Sequence, residues 1–173
     1  GLVRWLGHEP IRMHSVPDTM DDLRSALDEA AKNCDIIITS GGVSMGEWDL
    51  VRRIMEEEGD IHFWRVKIRP GSPPLFGKWK KIPIFGLPGN PVSSHVVFRM
   101  LLAPWLRKIT GADGPHEIQT KARLATKIKA AKDCLTLRRV SITKDEKGFV
   151  ASSIIHQGSG NLASLALSEG LTL

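Results

Sequence analysis

The spacing of apolar residues changes rhythm once along the chain, near Pro115. Before that point it is helical or strand-like in alternation. Met20, Leu23, Leu27 and Ala30 recur at helical spacing behind Asp18 and Thr19, either of which can cap, and predict a helix to about Ala31. Asp35 to Thr39 is a short β-branched run, the pattern of a strand buried on both faces. Leu50, Val51, Ile54 and Met55 predict a second helix from roughly Trp48 to Glu58, stopped at Gly59. Weak alternation from Glu9 to Val16 predicts a strand, and Ile61 to Ile68 and Ile82 to Phe85 predict two more. Asn90 is a good cap and Pro91 a good first residue for an apolar helix through Val96, Val97, Met100 and Leu101, which Pro104 kinks or divides before Gly111. Leu2, Val3, Trp5 and Leu6 followed by Gly7 read as the last turn of a helix.

This order of strands and helices implies an α/β domain over residues 1–112, with a mostly parallel sheet and helices on both faces. From Gly114-Pro115 onward the period is two. Ile118 to Ile128, Leu135 to Thr143 and Phe149 to His156 predict strands, the last two joined by the polar turn Lys144 to Gly148. Residues 113–173 are therefore expected to form a small all-β, barrel-like domain, with a further strand beginning at Gly170.

Composition narrows the function more than the fold. The 173 residues are 42% hydrophobic and 25% charged, which is globular, and no apolar run is long enough to span a bilayer or to read as a signal peptide. The net charge of +5 suits an anionic partner. Its basic residues are scattered rather than gathered in runs, which favours a phosphorylated small molecule over nucleic acid. Cys34 and Cys134 are expected to be reduced, as in a cytoplasmic protein. The six histidines lack metal-ligand spacing.

Three loops follow predicted strands, the edge at which α/β sheets bind ligands. Ser40-Gly41-Gly42-Val43-Ser44-Met45-Gly46 lets backbone amides approach an anion ahead of a helix; the plainer reading is a connecting turn. No Gly-Lys-Ser/Thr follows, so it is not a Walker loop. Asp49, expected in the first turn of the next helix, either compensates the dipole or points into a cleft. Arg69, in Lys67-Ile68-Arg69-Pro70-Gly71-Ser72, is either a solvated arginine or an oxyanion fork. Gly86-Leu87-Pro88-Gly89-Asn90-Pro91-Val92-Ser93 ends in a helix start whose amides form a second anion site.

Together, Ser-Gly-Gly-Val-Ser-Met-Gly-Glu-x-Asp, Arg-Pro-Gly-x-Pro with Phe76-Gly77, Gly-Leu-Pro-Gly-Asn-Pro-Val-Ser and His156-Gln157-Gly158-Ser159 resemble the molybdopterin molybdenumtransferases, the family of bacterial MoeA, the plant E domain and the gephyrin E domain. The resemblance covers nearly the whole chain. It implies a MoaB/MogA-like sheet domain that binds molybdopterin or its adenylylated form, closed by the β domain, with molybdate inserted and the adenylyl group hydrolysed with a divalent cation, magnesium.

Carried over residue by residue, Ser40, Gly41, Gly42, Ser44, Pro70, Gly71, Pro88, Gly89, Asn90 and Ser93 would hold the pterin. Asp49, Asp18 and Arg69 would be the catalytic groups, with Asp49 the candidate magnesium ligand. Arg69, Ser72, Arg139 and Ser159 would hold molybdate; Ser72 departs from the bacterial pattern, where lysine is frequent. Strand alternation allows only one of Arg138 and Arg139 to face the cleft, and the resemblance selects Arg139. The family further implies a first sheet strand with a Gly-Asp-Glu motif and two more domains ahead of Gly1, last β strands beyond Leu173, a cytoplasmic homodimer, and a molybdopterin adenylyltransferase upstream. No nucleic-acid or membrane partner is expected. Two other readings are an adenylyltransferase on the same sheet fold, disfavoured by the Ser-Gly-Gly-Val-Ser loop and the β appendage, and a non-catalytic scaffold module.

Overall fold

In the computed structural model, which describes residues 1–44, 46, 49–113 and 117–173, most of the predicted elements form, but the sheet is mixed. Met45, Glu47 and Trp48 of the first glycine loop, and Gly114 and Pro115 at the expected boundary, lie outside the described residues. The elements are α1 (Leu2–Trp5), α2 (Met20–Asn33), β1 (Ile37–Ser40), α3 (Leu50–Glu57), β2 (Asp60–Trp64), β3 (Ile68–Arg69), β4 (Leu75–Trp79), β5 (Ile82–Leu87), α4 (Pro91–Val97) continued by a π-helical turn (Phe98–Leu102) into α5 (Ala103–Thr110), then β6 (Arg123–Leu124), β7 (Leu135–Thr136), β8 (Arg139–Asp145), β9 (Gly148–Ser153), α6 (Ala163–Ala166) and β10 (Gly170–Leu171).

The first sheet has the order β1-β5-β4-β2, and only β1–β5 is parallel. The expectation of a mostly parallel sheet is corrected here. Its cause is β4, which follows Pro73-Pro74 and turns back into β5 through Lys80 and Lys81. Lys80 takes a positive φ of 55° without being glycine, so the turn carries no sequence signal. What holds it is α2: Asp28 accepts from the Trp79 indole at 2.7 Å and pairs with Lys80 at 2.8 Å. Together these hydrogen bonds hold the Asp28 carboxyl below its usual range.

Alternation along the strands separates two cores. Ile37 and Ile84 face a cluster with Leu23, Leu27, Ile54 and Met55 from α2 and α3. Phe85, Leu87, Ile36 and Ile38 face the opposite cluster, with Phe98, Leu102 and Leu106 of the long helix. Helices thus cover both sheet faces as expected. Pro104 falls just inside α5, after the π turn that absorbs the register change, and Gly111 closes that helix at φ 66°.

Four further expectations change. Glu9 to Val16 is irregular, with Met13 and Val16 packed on the first core. The run Ile61 to Ile68 is broken by Arg65, at φ 71°, into β2 and the separate β3. Of Ile118 to Ile128 only Arg123–Leu124 pairs. The second sheet has the order β10-β8-β9-β6 and is open, with β10 and β6 as edges, rather than a closed barrel. One short ribbon ties the chain's two halves: β3 pairs in parallel with β7, and Leu137 N–H donates to the Arg69 carbonyl at 2.8 Å. Leu137 then packs with Val92 and Val96 of α4.

Candidate functional site

The β3–β7 ribbon and the start of α4 enclose a cleft of about 350 Å³. Its wall comprises Arg69, Pro70 and Gly71 after β3, Ser93 on α4, Thr136 to Arg138 between β7 and β8, and the turn Gln157 to Ser159. Among the described residues no carboxylate lines it. Gly71 has a φ of 106°, and a methyl group there would come within 2.6 Å of Val97 Cγ2, so glycine is what lets this loop lie against the helix. The Arg69–Pro70 peptide is cis.

The Gln157–Ser159 turn is built by side chains. Gln157 acts as a surrogate strand: its Nε2 donates to the carbonyls of Arg139 and Ile154, and its Oε1 accepts from the Arg139 amide. Arg139 is fully buried, and its Nη2 donates to the carbonyls of His156 and Gly158, both at 3.2 Å. Its Nε and Nη1 have no hydrogen-bond partner among the described residues. Burial, and then the neighbouring Arg138 charge, push its pKa down. Of the two arginines, Arg138 is on the cleft wall, while Arg139 sits beneath the turn that forms that wall. Alternation did separate the pair, but the carbonyls that Arg139 satisfies drew it inward.

The two glycine loops meet beside the cleft. Gly41 N–H donates to the Leu87 carbonyl at 2.9 Å, and the Gly41 and Gly89 backbones lie close together. Gly42, expected to admit a ligand, has a packing role: a Cβ there would lie 2.9 Å from Val51 Cγ2 of α3. A Cβ at Gly41 would reach Gly89 Cα at 4.0 Å, an ordinary contact, and Ser40 and Ser44 are exposed. Trp64 anchors the loop by donating from Nε1 to the Val43 carbonyl at 2.8 Å, with the guanidinium of Arg52 stacked on its ring.

Asp49 is the cap residue before α3 rather than a first-turn residue, and its carboxylate accepts from the Gly46 amide at 2.5 Å. Asp18 is exposed ahead of α2, and the cap of α2 is Thr19. Pro88 is buried and its carbonyl accepts from Ser94 Oγ, while Asn90 caps α4 by backbone geometry alone. The Val92 amide at that helix start is taken by the Ser159 carbonyl at 3.2 Å. Ser72 is off the cleft wall, its carbonyl engaged by the Val66 amide. Thr136 was missed, Arg138 was passed over for Arg139, and Gln157 stood in a motif without being given a role; all three line the cleft.

Residues 1–108 match the family described as "Probable molybdopterin binding domain", and residues 121–172 match "MoeA C-terminal region (domain IV)". The molybdopterin molybdenumtransferase of Haemophilus influenzae is 35% identical over 160 residues, covering 91% of this chain and 40% of the relative. That of Bacillus subtilis is 30% identical over 161 residues, covering 92% and 37%. The crystal structure of a molybdopterin biosynthesis MoeA protein from Pyrococcus horikoshii superposes with a TM-score of 0.75 at 32% identity, over 98% of this chain and 40% of that one. The chain thus spans about two fifths of the length of these relatives. On these matches the chain belongs to the family of the probable molybdopterin binding domain, continued here by a MoeA C-terminal region.

Proposed function

We propose that this chain is the part of a molybdopterin molybdenumtransferase that holds the phosphorylated pterin and the molybdate to be inserted into it. The observation that carries this reading is a cleft without carboxylates among the described residues, whose wall holds both Arg69 and Ser159, with the buried cation of Arg139 beneath it. A tetrahedral dianion needs donors and compensating charge together, and arginine supplies both. Gly41 and the exposed Ser40 and Ser44 suit the pterin phosphate, with Pro88, Gly89 and Asn90 in the loop that meets Gly41, and Pro70, Gly71 and Ser93 on the cleft wall.

Asp49 is the carboxylate that would hold magnesium, and the ion would supply positive charge beside the ligand's phosphate. Among the described residues no three His, Cys, Asp or Glu side chains come together, and Asp49 offers one carboxylate already engaged by Gly46. Asp18 would act only if the ligand reaches the start of α2. Within this reading the larger protein receives adenylylated pterin from an adenylyltransferase, works as a cytoplasmic homodimer, and divides near residue 112 into sheet and β units.

Titration of the chain with molybdopterin and with molybdate tests the proposal. Arg69→Gln is expected to weaken molybdate about tenfold or more and to leave the pterin within a few-fold, the loss of one charge-assisted hydrogen bond. Binding of neither ligand to the unsubstituted chain would refute it.

A further inference from the structure

The charge of the chain is polarised. Residues 20–33 and 50–60, which build α2, α3 and the start of β2, carry eight acidic residues against four lysines and arginines. Residues 121–148 carry nine lysines and arginines against three acidic residues. The two segments lie on different sides of the first sheet. α2 and α3 pack on one face, while α4, whose Ser93 walls the cleft, belongs to the helix that covers the other. An anion is therefore repelled from behind the sheet and drawn toward the β unit.

The lysines nearest the cleft sit on a loop that the cleft wall itself holds. Between β6 and β7 the chain runs past Lys127, Lys129 and Lys132, all exposed. Thr136 Oγ1 accepts from the Ala131 amide at 2.8 Å, and Arg138 Nη2 donates to the Lys129 carbonyl at 3.1 Å. Both Thr136 and Arg138 line the cleft, so the loop is tied to the back of its wall at two points. The Leu135 amide donates to the Lys67 carbonyl at 2.8 Å, which brings a fourth exposed lysine to the same ribbon. Among the described residues none of these four lysines has a carboxylate within ion-pair distance. Asp133 is the only acidic residue from Lys121 to Lys144.

We infer that the Lys127–Lys132 loop, with Lys67, is an electrostatic guide that draws the phosphorylated pterin into the cleft without touching it once bound. This rests on the reading of the cleft given above and adds a kinetic role outside its wall. An exposed ammonium keeps its water and grips poorly, but its field reaches about a Debye length, roughly 8–10 Å at ordinary salt. Charges at a rim act on the encounter and its salt dependence, whereas contacts inside the site set the rate of escape. A lysine face kept only for solubility needs no tether to the cleft wall.

The test is stopped-flow mixing of the chain with molybdopterin, followed by tryptophan fluorescence, at about 10 mM and about 1 M salt, where the Debye length falls from about 30 to about 3 Å. The double variant Lys129→Gln with Lys132→Gln is expected to slow association about threefold to tenfold at low salt. Its dissociation rate should stay within about twofold, and the difference should vanish at high salt. Lys129→Glu with Lys132→Glu should deepen the loss. Lys144→Gln with Lys147→Gln removes the same charge from the β8–β9 hairpin, roughly 17 Å along β8 from Arg139. It should leave association within about twofold. Equal slowing by the two glutamine pairs would make net charge, not this loop, the cause and would overturn the inference. So would unchanged association in the Lys129 and Lys132 variants, or faster dissociation at unchanged association, which would make these lysines direct contacts. Each of those results leaves the cleft reading intact. No molybdopterin binding to the unsubstituted chain would remove the cleft reading and this inference with it.

Discussion

At the scale of single residues, the site separates groups that face the ligand from groups that hold those groups in place. Arg139 belongs to the second kind, since it is fully buried and donates to the carbonyls of His156 and Gly158. Arg139→Ala should weaken molybdate binding by roughly tenfold to a hundredfold and also lower stability, because two carbonyls lose a charged donor and a cavity opens. Arg139→Met, nearer in volume, should keep more of the stability and still lose the oxyanion affinity. Denaturation midpoints read beside molybdate titrations check this; full affinity in Arg139→Met would exclude the role. Gly42 makes a similar distinction. Its missing side chain makes room for Val51, so Gly42→Leu should destabilise the α3 packing by about 1–3 kcal/mol before any ligand is added. A variant of unchanged stability that fails to bind pterin would return Gly42 to the ligand.

At the scale of elements, the glycine loop is tied to a strand that is distant in sequence. Trp64 on β2 donates to the Val43 carbonyl, so Trp64→Phe should keep the ring and lose the tether, at about 0.5–1.5 kcal/mol. Amide hydrogen exchange should then quicken at Val43 and Ser44 more than in α2; uniform change across the chain would count against a local tether. The helices were legible because their apolar faces repeat at short range: Leu23, Leu27 and Ala30, or Leu50, Ile54 and Met55, need no partner to be recognised. The β4 strand was not. Its Leu75-Phe76-Gly77-Lys78-Trp79 is short and glycine-interrupted, and a Cβ at Gly77 would collide with the Asp60 carbonyl of β2. That requirement exists only once β2 lies alongside.

At the scale of the whole molecule, the cleft depends on the two halves staying docked. Leu137 is buried against Val92 and Val96 and joins β7 to α4. Leu137→Ala should cost about 2–5 kcal/mol and loosen the cleft, so thermal midpoint and molybdate affinity should fall together; a fall in midpoint with affinity intact would mean that the cleft does not need this junction.

Acid should act on the same scale. Burial, aided by the Arg99 charge, pushes His95 on α4 below its usual pKa of 6.5. The unfolded chain then takes up that proton first, and stability is lost as pH falls below about 6.5 toward the folded value. Burial alone would raise the Glu117 carboxyl, but hydrogen bonds from Arg107 and Arg99 outweigh it and hold it below its usual 4.5. Its contribution is present above pH 4.5 and is lost as pH falls through the lowered value. His95→Gln should flatten the upper part of the acid-stability profile and Glu117→Gln the lower part. Parallel profiles for all three proteins would count against both assignments.

What the sequence determined by itself is local: the amphipathic helices, the β1 run, the Asn90-Pro91 helix start, and the motifs whose resemblance gave the family. Each is carried by residues within a few positions of one another, where backbone preference and spacing are enough. The mixed order of the sheet, the division of β2 from β3, and the identity of the cleft wall arose only on folding. Arg138 and Arg139 are indistinguishable as neighbours on a strand. The carbonyls of His156 and Gly158, some eighteen residues further on, decide which arginine is buried, and β3, some seventy residues earlier, supplies the arginine that the other one joins. Long-range backbone groups must be satisfied wherever the chain places them, and no local pattern records where that will be.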